Sequence, residues 1–108
     1  MNTYTNALKY GDATEPEENR LPYNVYEALS QDEQYVKLAQ TRYLVDKAER
    51  EASGEPQSCL LGALDATEDA VNVYVSEWLG EMAGELVWEY NMDPTDVREA
   101  CAEYGVDR

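Results

Sequence analysis

Apolar residues along this chain recur at spacings of three and four, and no run alternates convincingly at two. The strongest pattern lies between Thr67 and Asn91. There Val71, Val75, Trp78, Leu79, Met82, Leu86 and Tyr90 fall on one side of a helix at about 100° per residue. Thr67 can cap that helix, and Glu68 and Asp69 suit its first turn, where the helix dipole favours negative charge. A shorter helix over 56–66 would bury Leu60, Leu61 and Leu64. One continuous helix would turn Glu68 toward the apolar side, so a break before Thr67 is expected. Upstream, Ser30 and Glu33 form an S-x-x-E capping box, opening a helix that runs to about Ser53 and is stopped by Gly54 and Pro56. Tyr35, Leu38, Ala39 and Val45 share its apolar face, broadened by Tyr43 and Leu44. "LPYNVYEAL" (21–29) predicts a short helix with Pro22 in its first turn and Tyr23, Tyr26 and Leu29 as candidate buried positions. Asp93 caps a last helix, with Pro94 at its first position, Val97, Ala100, Cys101 and Tyr104 on one face, and Gly105 at its end. Residues 1–20 read as an N-terminal arm, a short helical turn followed by the acidic loop "ATEPEEN". The expected fold is all-α: a single domain, with a compact bundle of four to five helices over 21–108.

Composition changes this picture in one respect, charge. The 108 residues carry a formal net charge of −15. Such a field repels DNA, RNA and anionic membranes as direct ligands and favours basic protein surfaces. No apolar stretch reaches the 18 residues of a membrane span, and no basic-then-apolar leader opens the chain, so a cytoplasmic location is expected. Cys59 and Cys101 sit in no metal or redox spacing and are expected to be reduced and buried. Histidine is absent, which removes the usual triads and zinc sites. There is no phosphate-binding glycine loop and no calcium loop. The carboxylate pairs Glu15 and Glu18, Asp65 and Glu68, and Asp93 and Asp96 could hold Mg²⁺, but phosphoryl chemistry also needs basic groups facing the phosphates. No catalytic, cofactor-binding or metal-binding residue is therefore assigned, and the chain is not expected to be an enzyme.

The charge is unevenly placed. Residues 1–50 hold nine acids and six bases, whereas 51–108 hold fourteen acids and two bases. Between Arg50 and Arg98 no basic residue occurs, against eleven acids. Within that gap Glu77, Glu81, Glu85 and Glu89 stand four apart, and Asp69 continues the row backward across Val73. Like charges at this spacing repel by about 0.2–0.5 kcal/mol per pair on a helix. Trp88 projects beside the row, either covering the core edge or serving as an exposed anchor. Asp69, Glu77, Glu81, Glu85, Trp88 and Glu89 are the candidate partner-binding residues. Gly80 and Gly84 form a G-x-x-x-G, expected to admit the backbone of another helix or to mark a homodimer crossing.

In length, acidity, tyrosine content and the row "EWLGEMAGELVWE", the chain resembles the small acidic all-helical DNA mimics of phages and mobile elements, of the anti-restriction and anti-CRISPR type. The resemblance implies a stoichiometric inhibitor that occupies the basic nucleic-acid-binding groove of a host defence protein, in the host cytoplasm if phage-encoded. One row carries about half the charge density of a DNA strand, so close imitation needs a second row. The acids at 49, 51, 55 and 65 would supply it only if folding brings them alongside. Two alternatives stay open: an acidic helical interaction module that does not imitate nucleic acid, and a halophile-adapted structural protein. Against the latter, glutamate (15) outnumbers aspartate (8) and the acidity is concentrated in one half.

Overall fold

The computed structural model describes residues 17–106. The helical turn expected near the N-terminus and most of the acidic loop lie outside them. A 3-10 turn at Glu17–Arg20 leads into four α-helices: α1 Tyr23–Leu29, α2 Glu33–Glu51, α3 Glu55–Trp88 and α4 Pro94–Glu103. No strand occurs among the described residues, and the fold is all-α.

α2 and α3 form an antiparallel hairpin whose register two polar contacts mark. Near the tip, Gln57 Nε2 donates to the Glu49 carboxylate at 3.3 Å. At the other end the Tyr74 hydroxyl donates to Asp32 Oδ1 at 2.7 Å. The 19 residues of α2 thus run beside roughly the first half of the 34-residue α3, and residues 74–88 overhang the start of α2. Gly54 makes the turn at φ 72°, ψ −146°, a conformation that only glycine adopts without strain. Pro56, expected to stop the preceding helix, sits in the first turn of α3, where its missing N–H is harmless.

The break expected before Thr67 does not occur. α3 is continuous from Glu55 to Trp88, about 51 Å long, and the Thr67 hydroxyl donates to the Ala63 carbonyl within the helix instead of capping a new one. The break was inferred to spare Glu68 an apolar environment, but that stretch has no closed core to avoid. No residue of α3 before Val71 is buried; Leu60 and Leu64 are half-buried, and Leu61 and Glu68 are exposed. Among the described residues α2 is the helix that runs alongside this part, and one neighbour cannot enclose a helix face. Cys59 lies on the same stretch and is exposed, contrary to expectation, whereas Cys101 is buried; both are free thiols.

Two helix starts also differ. Asp32, not Ser30, caps α2, accepting from the Tyr35 N–H at 2.9 Å. Ser30 instead ends α1, donating its hydroxyl to the Tyr26 carbonyl. On α1 the buried positions are Val25 and Leu29, while Tyr26 is half-buried and Tyr23, about 200° around the helix from Val25, is exposed. α4 follows expectation. Asp93 accepts from the Thr95 N–H, Pro94 opens the helix, and Gly105 at φ 67° lets the Val106 N–H reach the Cys101 carbonyl at 2.8 Å.

The core gathers around the start of α2, where α3 runs on past it into a cluster shared with α1 and α4. Val71, Val75, Trp78, Leu79 and Leu86 are buried as the periodicity predicts, with Ala83 beside them and Met82 half-buried. Tyr90 lies past the helix end and is exposed, since Asn91 (φ 53°) turns the chain and the Met92 N–H closes on the Leu86 carbonyl at 3.0 Å. On α2 Tyr35 and Ala39 are buried, Leu38, Tyr43 and Val45 are half-buried, and Leu44 is exposed. The inward face of α2 then turns polar, with Arg42 and Asp46 both buried.

Arg42 pairs with Glu18, which is fully buried although its neighbourhood reads as loop. The guanidinium is bidentate, Nη2 to Oε2 at 2.6 Å and Nη1 to Oε1 at 3.1 Å. The Tyr35 hydroxyl donates to Oε2 at 2.7 Å and the Tyr104 hydroxyl to Oε1 at 3.4 Å. One carboxylate thus joins the 3-10 turn to α2 and α4.

Two stability predictions follow from this packing. Arg42→Ala strands a buried carboxylate and should lower the unfolding free energy by about 3–5 kcal/mol in urea titration. A loss below about 1 kcal/mol would mean that Glu18 is wet in solution. The second concerns the glycine pair: among the described residues no helix backbone approaches it, contrary to expectation. A Cβ at Gly80 would meet only the Val106 side chain at 3.8 Å, and one at Gly84 would meet nothing within 4 Å. Gly84→Ala should therefore raise stability by about 0.8–1.0 kcal/mol at every protein concentration. A dimer crossing at this glycine would show instead as a concentration-dependent loss.

Candidate acidic interface on the long helix

Because α3 is a single helix, residues four apart on it form a continuous line, each step rising about 6 Å and turning about 40°. Asp69, Glu77, Glu81 and Glu85 lie on this line and all are exposed. Glu89 is exposed too, at the C-cap with helical backbone, its N–H bonded to the Glu85 carbonyl at 2.7 Å. Trp88 is 83% exposed and lies angularly between Glu77 and Glu81, which favours the anchor reading over the core-edge one. Continuity also adds Asp65, four residues before Asp69 and exposed, so the line extends about 36 Å from Asp65 to Glu89.

The second row does not form. Asp65 joins the first, and Glu51 and Glu55 flank the hairpin turn, beyond the end of the line rather than beside it. Glu49 is half-buried and accepts from Gln57. The single line winds right-handed with a pitch of roughly 54 Å, longer than the roughly 34–36 Å turn of duplex DNA. It matches a phosphate strand in sign and hand, at about half the charge density.

No Lys or Arg among the described residues pairs with this line; the ion pairs are Arg42 with Glu18 in the core and Arg50 with Asp46 at 3.4 Å on α2. Glu68, between Asp65 and Asp69, has its pKa raised by partial desolvation, which Arg42 opposes and the surrounding acids reinforce. Tyr74 faces Asp32 and Glu81. Its phenol is pushed up to about 12, first by burial and then by its hydrogen bond to Asp32. Burial, with the Glu18 charge next, raises Tyr35 as well.

Of the carboxylate pairs, Glu15 lies outside the described residues, Asp65 and Glu68 stand exposed on α3, and the others have structural roles. Glu18 is held by Arg42, Asp93 caps α4, and Asp96 accepts from Asn24 Nδ2 at 3.2 Å. Among the described residues no group of three or more His, Cys, Asp or Glu could hold a metal ion, and no helix is long and apolar enough to cross a membrane. The arrangement suits electrostatic docking of a basic surface around an aromatic anchor. Comparison with protein-family models, with curated proteins and with solved structures returns no match.

Tyr74 and Tyr35 generate a pH prediction. A phenol whose folded pKa lies above its unfolded value near 10 keeps its proton longer in the folded protein. The stability it confers is fully present below pH 10 and declines as pH rises toward and through about 12. Tyrosinate absorbance should therefore show two late-titrating phenols whose ionisation accompanies loss of helical circular dichroism. Tyr74→Phe should soften the decline between pH 10 and 12; an unchanged profile would contradict the assignment.

Proposed function

We propose that this protein is a stoichiometric inhibitor that lays the acidic line of α3 into a basic nucleic-acid-binding groove of a host protein. The observation that carries the proposal is the exposed run Asp69, Glu77, Glu81, Glu85 and Glu89 on and at the end of one rigid helix, with Trp88 among them and no basic partner among the described residues. Such a line stores like-charge repulsion in the free protein, and a cationic groove relieves it. Trp88 supplies what charge alone does not, a large apolar contact that discriminates between basic surfaces. The single row and long pitch favour a second reading, an acidic module that binds a basic protein outside its nucleic-acid site.

The test begins with the partner captured on the immobilised protein. Exchanging Glu81 and Glu85 for lysine should weaken binding on the order of a hundredfold, with the fold intact, and the unaltered protein should bind less tightly as salt rises. Trp88→Ala should cost about 2 kcal/mol. A duplex or guide–target hybrid that binds the same partner should be mutually exclusive with this protein. Simultaneous, independent binding would reject mimicry and leave the second reading.

A further inference from the structure

The acidic line has one gap, and the structure fills it with an apolar feature. Val73 stands four residues from both Asp69 and Glu77, where the spacing calls for an acid, and its side chain is 58% exposed. It lies in a shallow groove of about 470 Å³ between α2 and α3. Leu38 of α2 and Ala66, Ala70 and Val73 of α3 supply apolar lining, Asp69 and Glu77 stand on either side of Val73, and no lysine or arginine among the described residues lines the groove. An exposed valine flanked by two acids, one helical turn away on each side, is a poor solubility surface but a matched pair of recognition elements.

We propose that this groove docks a basic helix of the partner in which one aliphatic side chain, inserted at Val73, is flanked four residues away on each side by lysine or arginine. Charge complementarity selects the occupant. The carboxylates of Asp69 and Glu77 lie one helical repeat to each side of the apolar floor, and a facing helix repeats its side chains at the same interval of about 6 Å. The line turns about 80° between Asp69 and Glu77, which a helix crossing α3 at an angle follows over these three positions. The groove therefore sets the register of the bound helix, and the acids beyond Glu77 add attraction without register. This inference rests on the acidic line being a docking surface, and it narrows the part of the partner that meets the groove around Val73 to a basic helix.

The test uses two synthetic helical peptides of about fifteen residues and equal charge, each with lysines four positions before and after a central residue that is leucine in one and glutamine in the other. Calorimetry on the unaltered protein should show the leucine peptide binding about tenfold more tightly, the scale expected for burying much of one aliphatic side chain. Val73→Glu, a solvent-facing change verified by circular dichroism, should abolish that preference. Leu44→Glu, on an exposed part of α2 outside the groove, should leave it intact. Equal binding of the two peptides by the unaltered protein, or a preference that survives Val73→Glu, overturns the proposal. If the preference fails while the nucleic acid still competes for the natural partner, the line acts by charge alone. If the preference holds and the nucleic acid does not compete, the groove stands and mimicry falls.

Discussion

A single buried carboxylate holds the parts of this protein in place. Glu18 is wholly enclosed, and a carboxylate survives there only because Arg42 meets it with two hydrogen bonds and Tyr35 supplies a third. The geometry is directional in a way that apolar packing is not. It fixes where the 3-10 turn rests on α2, and Tyr104 extends the same constraint to the end of α4. The core of valines and leucines would tolerate small sliding of the helices; the fork of Arg42 does not. The stability of the pair relative to an apolar substitute is modest, and its larger effect is on which arrangement of helices is adopted.

That constraint was the least legible part of the sequence. Glu18 lies in a tract of acids, proline and asparagine whose composition signals loop, and nothing local distinguishes it from Glu15 or Glu17. Its partner sits 24 residues away on a helix face that otherwise looks apolar. Long-range pairing of this kind leaves no periodic trace. By contrast, the buried stripe of α3 was readable because each member satisfies the same 3.6-residue rule, and α4 was readable because its cap, its proline and its terminal glycine act within a few residues of one another. The errors lie between these extremes. Ser30 and Asp32 are both competent caps; Ser30 closes α1, and Asp32, which also accepts from the Tyr74 hydroxyl, opens α2. Thr67 looks like a cap if Glu68 must avoid a core, whereas among the described residues α2 alone runs beside that stretch and Glu68 is exposed.

The candidate interface was partly legible for a related reason. Spacing alone places Glu77, Glu81 and Glu85 in line once a helix is granted, and the absence of nearby bases is a property of the sequence itself. The inclusion of Asp65 needed the knowledge that α3 does not break. The role of Val73 needed α2, since a groove is a relation between two helices. The missing second row shows the converse: Glu51 and Glu55 are near Asp65 in sequence, yet the hairpin turn carries them beyond the end of the line.

The unequal enclosure of α3 divides one helix into two mechanical regimes. Toward the hairpin tip its backbone hydrogen bonds are sheltered by a single neighbour, and local opening there costs little more than separating two helices. Past Val71 the same helix is anchored by its own buried residues, Val71, Val75, Trp78, Leu79, Ala83 and Leu86, in the common core. Four of the six acids of the line, Glu77, Glu81, Glu85 and Glu89, lie on this anchored portion. The backbone positions that carry these acids are therefore set before any partner arrives, and little backbone ordering entropy is lost when one does. A row of equal charge on the tip would fray under its own repulsion and present a cloud of charge; here the core turns it into a ruler.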